Sequence, residues 1–401
     1  MRFLNINLGT VVVCMAATVL AACGGGSSSV PVVTPPSPVL QPGWTLTGSL
    51  QTARNGHTAT LLADGRVLAV GGEYDTVGTP QYVYPANAEL YDPATKFWTP
   101  AGNLAQARSG HTATLLPNGK VLVVGGIYRV GDQIGVVATA ELYDPATNTW
   151  TVASSPVTAR SSHTATLLPN GKVLVSGGND SSFTSLNGVE LYDTATNAWT
   201  SVGTLLTARQ GHLATLLPNG KVLVNGGLIA EANQQSFAAT AELYDPATQT
   251  STMAATPAIR AYGGSATLLS SGNVLFVADD LIAGDYAVSA LYNPNTNTWT
   301  PAGKLSTWHY WHAATRLSNG KVLVVGGTHV GVRPVYSPTD IAELYDPQTN
   351  TWSVTQALVQ GPRMRHTATL LSNGAVLVAG GSEGVSAPYT SAGAALYTPS
   401  P

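Results

Sequence analysis

Cysteine is almost missing from this chain. Of 401 residues only Cys14 and Cys23 are cysteine, and both lie near the start. From residue 24 onward no disulfide can form and no cysteine-based metal site can be built. Charge is scarce as well: Asp, Glu, Lys and Arg together make up 10% of the residues, the net charge is −3, and no run of like charge occurs. That leaves no electrostatic footprint for nucleic acid, so no nucleic-acid partner is expected. There is no nucleophile elbow, Walker loop, His-Glu-x-x-His motif or zinc cluster, and no cofactor or metal is implied. The apolar run from Val11 to Ala22 is too short to span a bilayer as a stable helix.

Glycine (42) and proline (25) are plentiful, which fits many short strands joined by frequent turns. The start reads as an export signal. Arg2 supplies a positive n-region, the apolar run follows, and Leu20-Ala21-Ala22-Cys23-Gly24 has the form of a lipobox. Residues 1–22 are therefore expected to be a lipoprotein signal peptide, with lipidation of Cys23 as the only attachment to a membrane. In a Gram-negative cell, Gly24 rather than Asp after the cysteine implies the outer membrane. Residues 23–42 are rich in Gly, Ser and Pro and read as the lipidated cysteine and a flexible tether.

From residue 43 one unit repeats. Its clearest copy runs Arg108-Ser109-Gly110-His111-Thr112-Ala113-Thr114-Leu115-Leu116-Pro117-Asn118-Gly119-Lys120, then Val121 to Val124 and Gly125-Gly126. After a variable loop it ends Glu141-Leu142-Tyr143-Asp144-Pro145-Ala146-Thr147-Asn148-Thr149-Trp150. The histidine slot holds His57, His111, His163, His212, Gly264, His312 and His366; the tyrosine slot holds Tyr91, Tyr143, Tyr192, Tyr244, Tyr292, Tyr345 and Tyr397. Thr112–Leu116 reads as a first strand, A. Asn118-Gly119 provides a hairpin turn. Val121–Val124 reads as a strand B buried on both faces, Glu141–Asp144 as strand C, and Trp150 as the start of strand D.

A period near fifty residues with a Gly-Gly pair and distal Tyr and Trp resembles the Kelch repeat, whose family fold is the β-propeller. The resemblance covers residues 43–401. It implies an all-β, seven-bladed β-propeller of four-stranded antiparallel blades. The last unit lacks a strand D, while Gly43-Trp44-Thr45-Leu46-Thr47 is a strand D without a preceding unit. The N-terminal strand is therefore expected to complete the seventh blade, which removes two exposed edges.

Strands that alternate in direction put the short A–B and C–D turns on one face. The long, variable B–C loops and the D–A connections share the other, where recognition is expected. The repeated histidines are expected to hydrogen-bond within or between blades, since seven-fold positions cannot converge on one ion. Arg54, Arg108, Arg160, Arg209, Arg260 and Arg363 are expected to form buried ion pairs with Glu89, Glu141, Glu190, Glu242 and Glu343 across blade boundaries.

Departures from the repeat single out two neighbouring blades. Blade 5 has Gly264 in the histidine slot and Ala278-Asp279 in place of Gly-Gly, followed by Asp280 and Asp285. Blade 6 has His309 in the arginine slot, within Trp308-His309-Tyr310-Trp311-His312. Aromatic platforms beside carboxylates suit sugar rings. The alternative is that Trp308 and Trp311 fill space left by the altered slots. Asp279, Asp280 and Asp285 lack the spacing of a calcium loop. Further rim candidates are Glu73, Tyr74, Asp75, Tyr128, Arg129, His329, Arg333 and Tyr336.

The resemblance implies a monomeric binding module that engages a glycan or an envelope protein through the B–C/D–A face, with Trp308, His309, Tyr310, Trp311, Asp279, Asp280, Arg333 and Arg129 as candidate contacts. It also admits a carbohydrate-active enzyme, a polysaccharide lyase or sugar epimerase. There His309 or Tyr310 would be the general acid or base, and Arg333 or Arg129 would neutralise a carboxylate. The central domain of galactose oxidase resembles this propeller too. Its copper chemistry needs a cysteine cross-linked to a tyrosine, and the body has no cysteine.

Overall fold

A computed structural model describes residues 42–400 apart from 76–81, 132, 232–233, 257–261, 281–284, 331–335 and 385–389; of 279–280, 285–287, 329–330 and 336 it describes the backbone alone. Cys23, Arg260 and Arg333, and the side chains of Asp279, Asp280, Asp285, His329 and Tyr336, lie outside the described residues. Among the described residues no helix is long and apolar enough to cross a membrane.

Seven four-stranded antiparallel sheets follow one another along the chain, one per repeat. In blade 2 the strands are A (Thr112–Leu115), B (Val121–Val124), C (Ala140–Asp144) and D (Thr149–Val152). Strand A of each blade lies against strand A of the next, and that of blade 7 (Thr367–Leu370) against that of blade 1 (Thr58–Leu61), so the ring closes. Blade 7 is completed as expected: Gly43–Thr47 pairs antiparallel with Ala394–Thr398, from Gly43 opposite Thr398 to Thr47 opposite Ala394.

The core sits between blades. Strand B of blade 2 is buried along its whole length. Its Val121 and Val123 belong with Leu62, Leu68, Leu90 and Leu104 of blade 1 in one apolar cluster, its Leu122 and Val124 face blade 3 in another, and comparable clusters fill the other seams. A continuous apolar run is what a strand covered on both faces requires. Each Trp of strand D staples its blade to the one before: the indole Nε1 of Trp150 donates to the carbonyl of Ala101 at 2.8 Å, and Trp98, Trp199, Trp299 and Trp352 repeat the contact.

The B–C loops carry additional two-stranded ribbons. Ile127–Val130 pairs with Gln133–Val136 in blade 2, and Leu228–Glu231 with Gln234–Phe237 in blade 4; blades 1 and 6 have shorter ones. These ribbons rise from the same face as the D–A connections.

Candidate functional site

The D–A connection enters each blade through the Arg-x-x-His segment, and this segment builds the face around the axis. The arginine Nη1 donates to the carbonyl of the first glycine of its own Gly-Gly pair, as from Arg54 to Gly71 at 2.9 Å and Arg108 to Gly125 at 3.0 Å. Its Nη2 pairs with the strand C glutamate: Arg54 with Glu89 at 2.8 Å, Arg209 with Glu242 at 2.6 Å, and Arg108 and Arg160 with Glu141 and Glu190. The second carboxylate oxygen takes main-chain N–H groups of the connection, Gln51 on Glu89 and Ala105 on Glu141. All these pairs are buried. They therefore form within one repeat, not across blade boundaries as the sequence led us to expect. The arginine immediately precedes its own strand A, which brings its head group to its own strand C. What crosses the boundary is its carbonyl, which accepts from the second glycine of the preceding blade: Gly72 to Arg108, Gly126 to Arg160, and finally Gly381 to Arg54.

The histidines join neighbouring blades. Nε2 meets the hydroxyl at the start of the preceding strand A: Thr58 with His111 at 3.0 Å, Thr112 with His163 at 2.9 Å, Thr164 with His212 at 2.8 Å, Ser265 with His312 at 2.6 Å and Thr367 with His57 at 3.1 Å. Burial, reinforced by the adjacent arginines, holds His111 and His212 down to about 3 and keeps them neutral; burial does the same for His312. Each ring serves a different seam, so the histidines are structural. Among the described residues no group of three or more His, Cys, Asp or Glu could hold a metal ion.

The departures in blade 5 follow from this packing. The second glycine of each pair abuts the Cβ of the histidine in its own blade. A Cβ added at Gly72 would lie 2.9 Å from that of His57, and one at Gly126 would lie 3.1 Å from that of His111. In blade 5 a Cβ added at Gly264 would lie 2.8 Å from the Cβ of Ala278, so the missing side chain makes room for an alanine in the Gly-Gly slot. Strand B then runs on to Asp280, which pairs with Asp285. Across the same seam Leu213 replaces the threonine that would meet the absent imidazole.

His309, expected as a ligand contact or as a general acid or base, lies inside its blade. It is fully buried, with Nδ1 2.7 Å from the Gly326 carbonyl and Nε2 3.0 Å from Glu343 Oε1. These are the two partners an arginine takes in the other blades, so His309 is a structural replacement. Tyr310 is only 6% exposed, while Trp308 and Trp311 are half-buried. Arg129 is half-buried and donates from Nε to its own turn at Gly131.

A different constellation surrounds the axis. The residue just before each histidine slot is Gly56, Gly110, Ser162, Gly211, Gly263, Trp311 or Arg365, and all seven have φ between 52° and 67°. They stand in a ring around the axis, and main-chain hydrogen bonds join five of the seven neighbouring pairs: Ser162 N donates to Gly110 O, Gly211 to Ser162, Trp311 to Gly263, Arg365 to Trp311 and Gly56 to Arg365, at 2.7–3.0 Å. A tryptophan and an arginine in the left-handed region are costly, and such residues cluster where function demands them.

Trp311 and Arg365 are neighbours in this ring, with the guanidinium 3.9 Å above the indole. Arg365 Nη1 also meets Glu73 Oε1 at 3.0 Å. Burial pushes the Glu73 carboxyl up, and Arg365 partly offsets that rise. Beyond Glu73, Thr390 donates to Asp75 Oδ2 and accepts from Asn55 Nδ2. Burial beside Glu73 raises the Tyr84 hydroxyl to about 12, and Arg129 lies within electrostatic reach of it. On the other side Tyr310 lies 4.4 Å from Trp311, Tyr262 6.2 Å from Tyr310, and Phe237 5.9 Å from Tyr262, ring centre to ring centre. An arc of aromatic rings thus runs from blade 4 to blade 6 and ends on a cation held by blades 7 and 1.

Of the candidates read from the sequence, the structure places Tyr310 and Trp311 in this arc, with Glu73 and Asp75 at its end. Arg365 and Tyr262 were missed. The signal was a slot that is Gly or Ser in five copies and Trp or Arg in the other two.

The chain matches the family described as KLHDC2/KLHL20/DRC7 Kelch-repeats domain over residues 42–227 and 110–327, and the Kelch motif over residues 312–356. It is 29% identical over 112 residues to "Kelch-like protein terF" of Aspergillus terreus. That match spans 27% of this chain and 24% of the relative. Among solved structures, a fungal alcohol oxidase of the AA5 family, in complex with copper, superposes with a TM-score of 0.67 at 18% identity, over 89% of this chain and 76% of that one. The likeness is one of fold. The donor set for a cysteine-linked copper site does not fit, because Cys14 and Cys23 both precede the propeller.

Proposed function

The chain belongs to the Kelch-repeat family, and from that premise we propose that it is a binding module that holds a glycan on the arc of side chains at its axial mouth. A Kelch propeller is in general an interaction module. The observation that carries the finer reading is the pair Trp311 and Arg365, both in the left-handed region and stacked on one another. Backbone strain at two adjacent large residues on a recognition face has a structural cost and a functional use. Aromatic faces accept the C–H face of a pyranose. The guanidinium has donors beyond the one that meets Glu73, and these suit hydroxyls or a sugar carboxylate.

Glycine is the residue this ring otherwise prefers, so Trp311→Gly and Arg365→Gly remove the side chains without disturbing the backbone. Both variants should keep a stability within about 1 kcal/mol of the parent, or above it. Both should lose binding on a broad glycan array. Binding unchanged in both would overturn the reading. No binding by the parent to any glycan would replace it with a protein partner in the envelope.

The reading includes export and anchoring of a monomer through a lipid on Cys23, supported by the Leu20-Ala21-Ala22-Cys23 motif. A Cys23→Ala chain should leave the membrane fraction, and intact mass should show the parent acylated. A parent chain without acyl mass would remove this part alone.

A further inference from the structure

We infer that a second carbohydrate subsite, for a neutral pyranose, lies between the B–C loops of blades 3 and 4. A cleft of about 490 Å³ opens there between Phe183 and Thr184 on one side and Glu231, Gln234 and Gln235 on the other. That volume falls within the range of small-ligand sites. The inference concerns the same face as the axial mouth but rests on different residues.

Phe183 is the central observation. It is 47% exposed and has φ 59°. A large aromatic side chain in the left-handed region is strained, and an exposed one regains none of that through the core. Its surroundings fix it in place. Asp180 Oδ1 accepts from Ser182 N and Thr184 N, both at 2.9 Å, and Phe183 N donates to the Asp180 carbonyl at 3.0 Å. The far wall is joined to this loop. Ser185 N donates to Ala230 O at 2.9 Å, and Ser185 Oγ accepts from Ala230 N at 2.9 Å. Both walls are therefore preorganised before any ligand arrives, which lowers the ordering cost of binding.

The chemistry of the lining selects the ligand class. Among the described residues the cleft has an aromatic face, hydroxyls, two side-chain amides and one carboxylate, with no lysine or arginine in its lining. Amides and hydroxyls both donate and accept, which matches sugar hydroxyls. A carboxylate without a lining cation disfavours an anionic sugar. The ring of Phe183 would take the C–H face of the pyranose, and Glu231, Gln234 and Gln235 would hydrogen-bond its hydroxyl edge.

The test uses saturation-transfer NMR on the full chain with maltose, cellobiose, lactose, mannobiose and chitobiose. We expect transfer from at least one of them, strongest at the hydrogens of one ring face. Phe183→Gly relieves backbone strain and keeps the loop, and it should weaken binding about tenfold. Phe183→Trp should retain binding. No transfer from any of the five, or transfer unaffected by Phe183→Gly, overturns the inference. Transfer abolished by Trp311→Gly instead would place the sugar at the axial mouth and also overturn it. Failure of the axial-mouth reading would appear separately, as insensitivity of array binding to Trp311→Gly and Arg365→Gly.

Discussion

Residue by residue, the seams between blades depend on a hydroxyl and an imidazole, and one seam has lost half of that pair. Ala313 stands where strand A begins with Thr or Ser in five of the other blades, and His366 faces it from blade 7. His366 Nε2 is buried and has no partner among the described residues. Such an orphan costs about 1–3 kcal/mol. Ala313→Thr should restore the bond and raise stability by about 0.5–1.5 kcal/mol, read as a higher midpoint in urea. An unchanged or lower midpoint would mean the hydroxyl cannot reach the ring. The same change at Leu213 should bring no gain, because Gly264 offers no imidazole across that seam. The role of the histidines was legible from their seven-fold spacing. The identity of each partner was not, because it lies in the neighbouring repeat and depends on how far one blade is rotated from the next.

At the scale of the element, the Gly-Gly pair ends strand B where three structures meet. A Cβ on Gly126 would lie 2.6 Å from the Ser109 carbonyl and 3.1 Å from the Cβ of His111, with φ at 102°. Gly126→Ala should therefore cost at least about 2–3 kcal/mol, from overpacking and backbone strain together. Full stability in that variant would show that the connection can move away. Strand order, the Asn-Gly turn, the buried B strands and the closing N-terminal strand were all readable, since each is set by local chemistry or by a period. The direction of the arginine pairs was misread. In sequence Arg108 and Glu141 are as consistent with adjacent blades as with one, and the choice is set by the path of the connection. His309 looked like a catalytic departure for the same reason: nothing along the chain reveals that it inherits both partners of an arginine. Arg365 went unseen because one arginine two residues after another attracts no notice until the ring of left-handed residues is drawn.

For the whole molecule, the six histidines act together. In the unfolded chain each takes a proton near its ordinary value of 6.5; in the folded ring His57 and His163 lie well below that, and His111, His212, His312 and His366 wait until about 3. Between those limits the unfolded state binds more protons, so stability falls as pH falls. The loss is up to about 1.4 kcal/mol per pH unit for each histidine. Six such losses outrun a domain stability of about 5–15 kcal/mol within roughly two units below the ordinary histidine value. The urea midpoint followed by circular dichroism should drop steeply from pH 7 to 5, and the ring should open cooperatively near pH 4–5. A midpoint that is flat over that range would contradict neutral, buried histidines.

The pairing of Gly43–Thr47 with Ala394–Thr398 also sets a timetable. The first strand of the propeller to be made must wait for nearly the last before it has anything to bind. The contacts that meet blade 1, Thr367 with His57 and Gly381 with Arg54, likewise wait for the seventh repeat. Pairings so distant along the chain form slowly. The growing propeller is therefore an open arc with two unsatisfied edges until its seventh repeat is made, and it becomes safe from aggregation and proteolysis only when the ring closes.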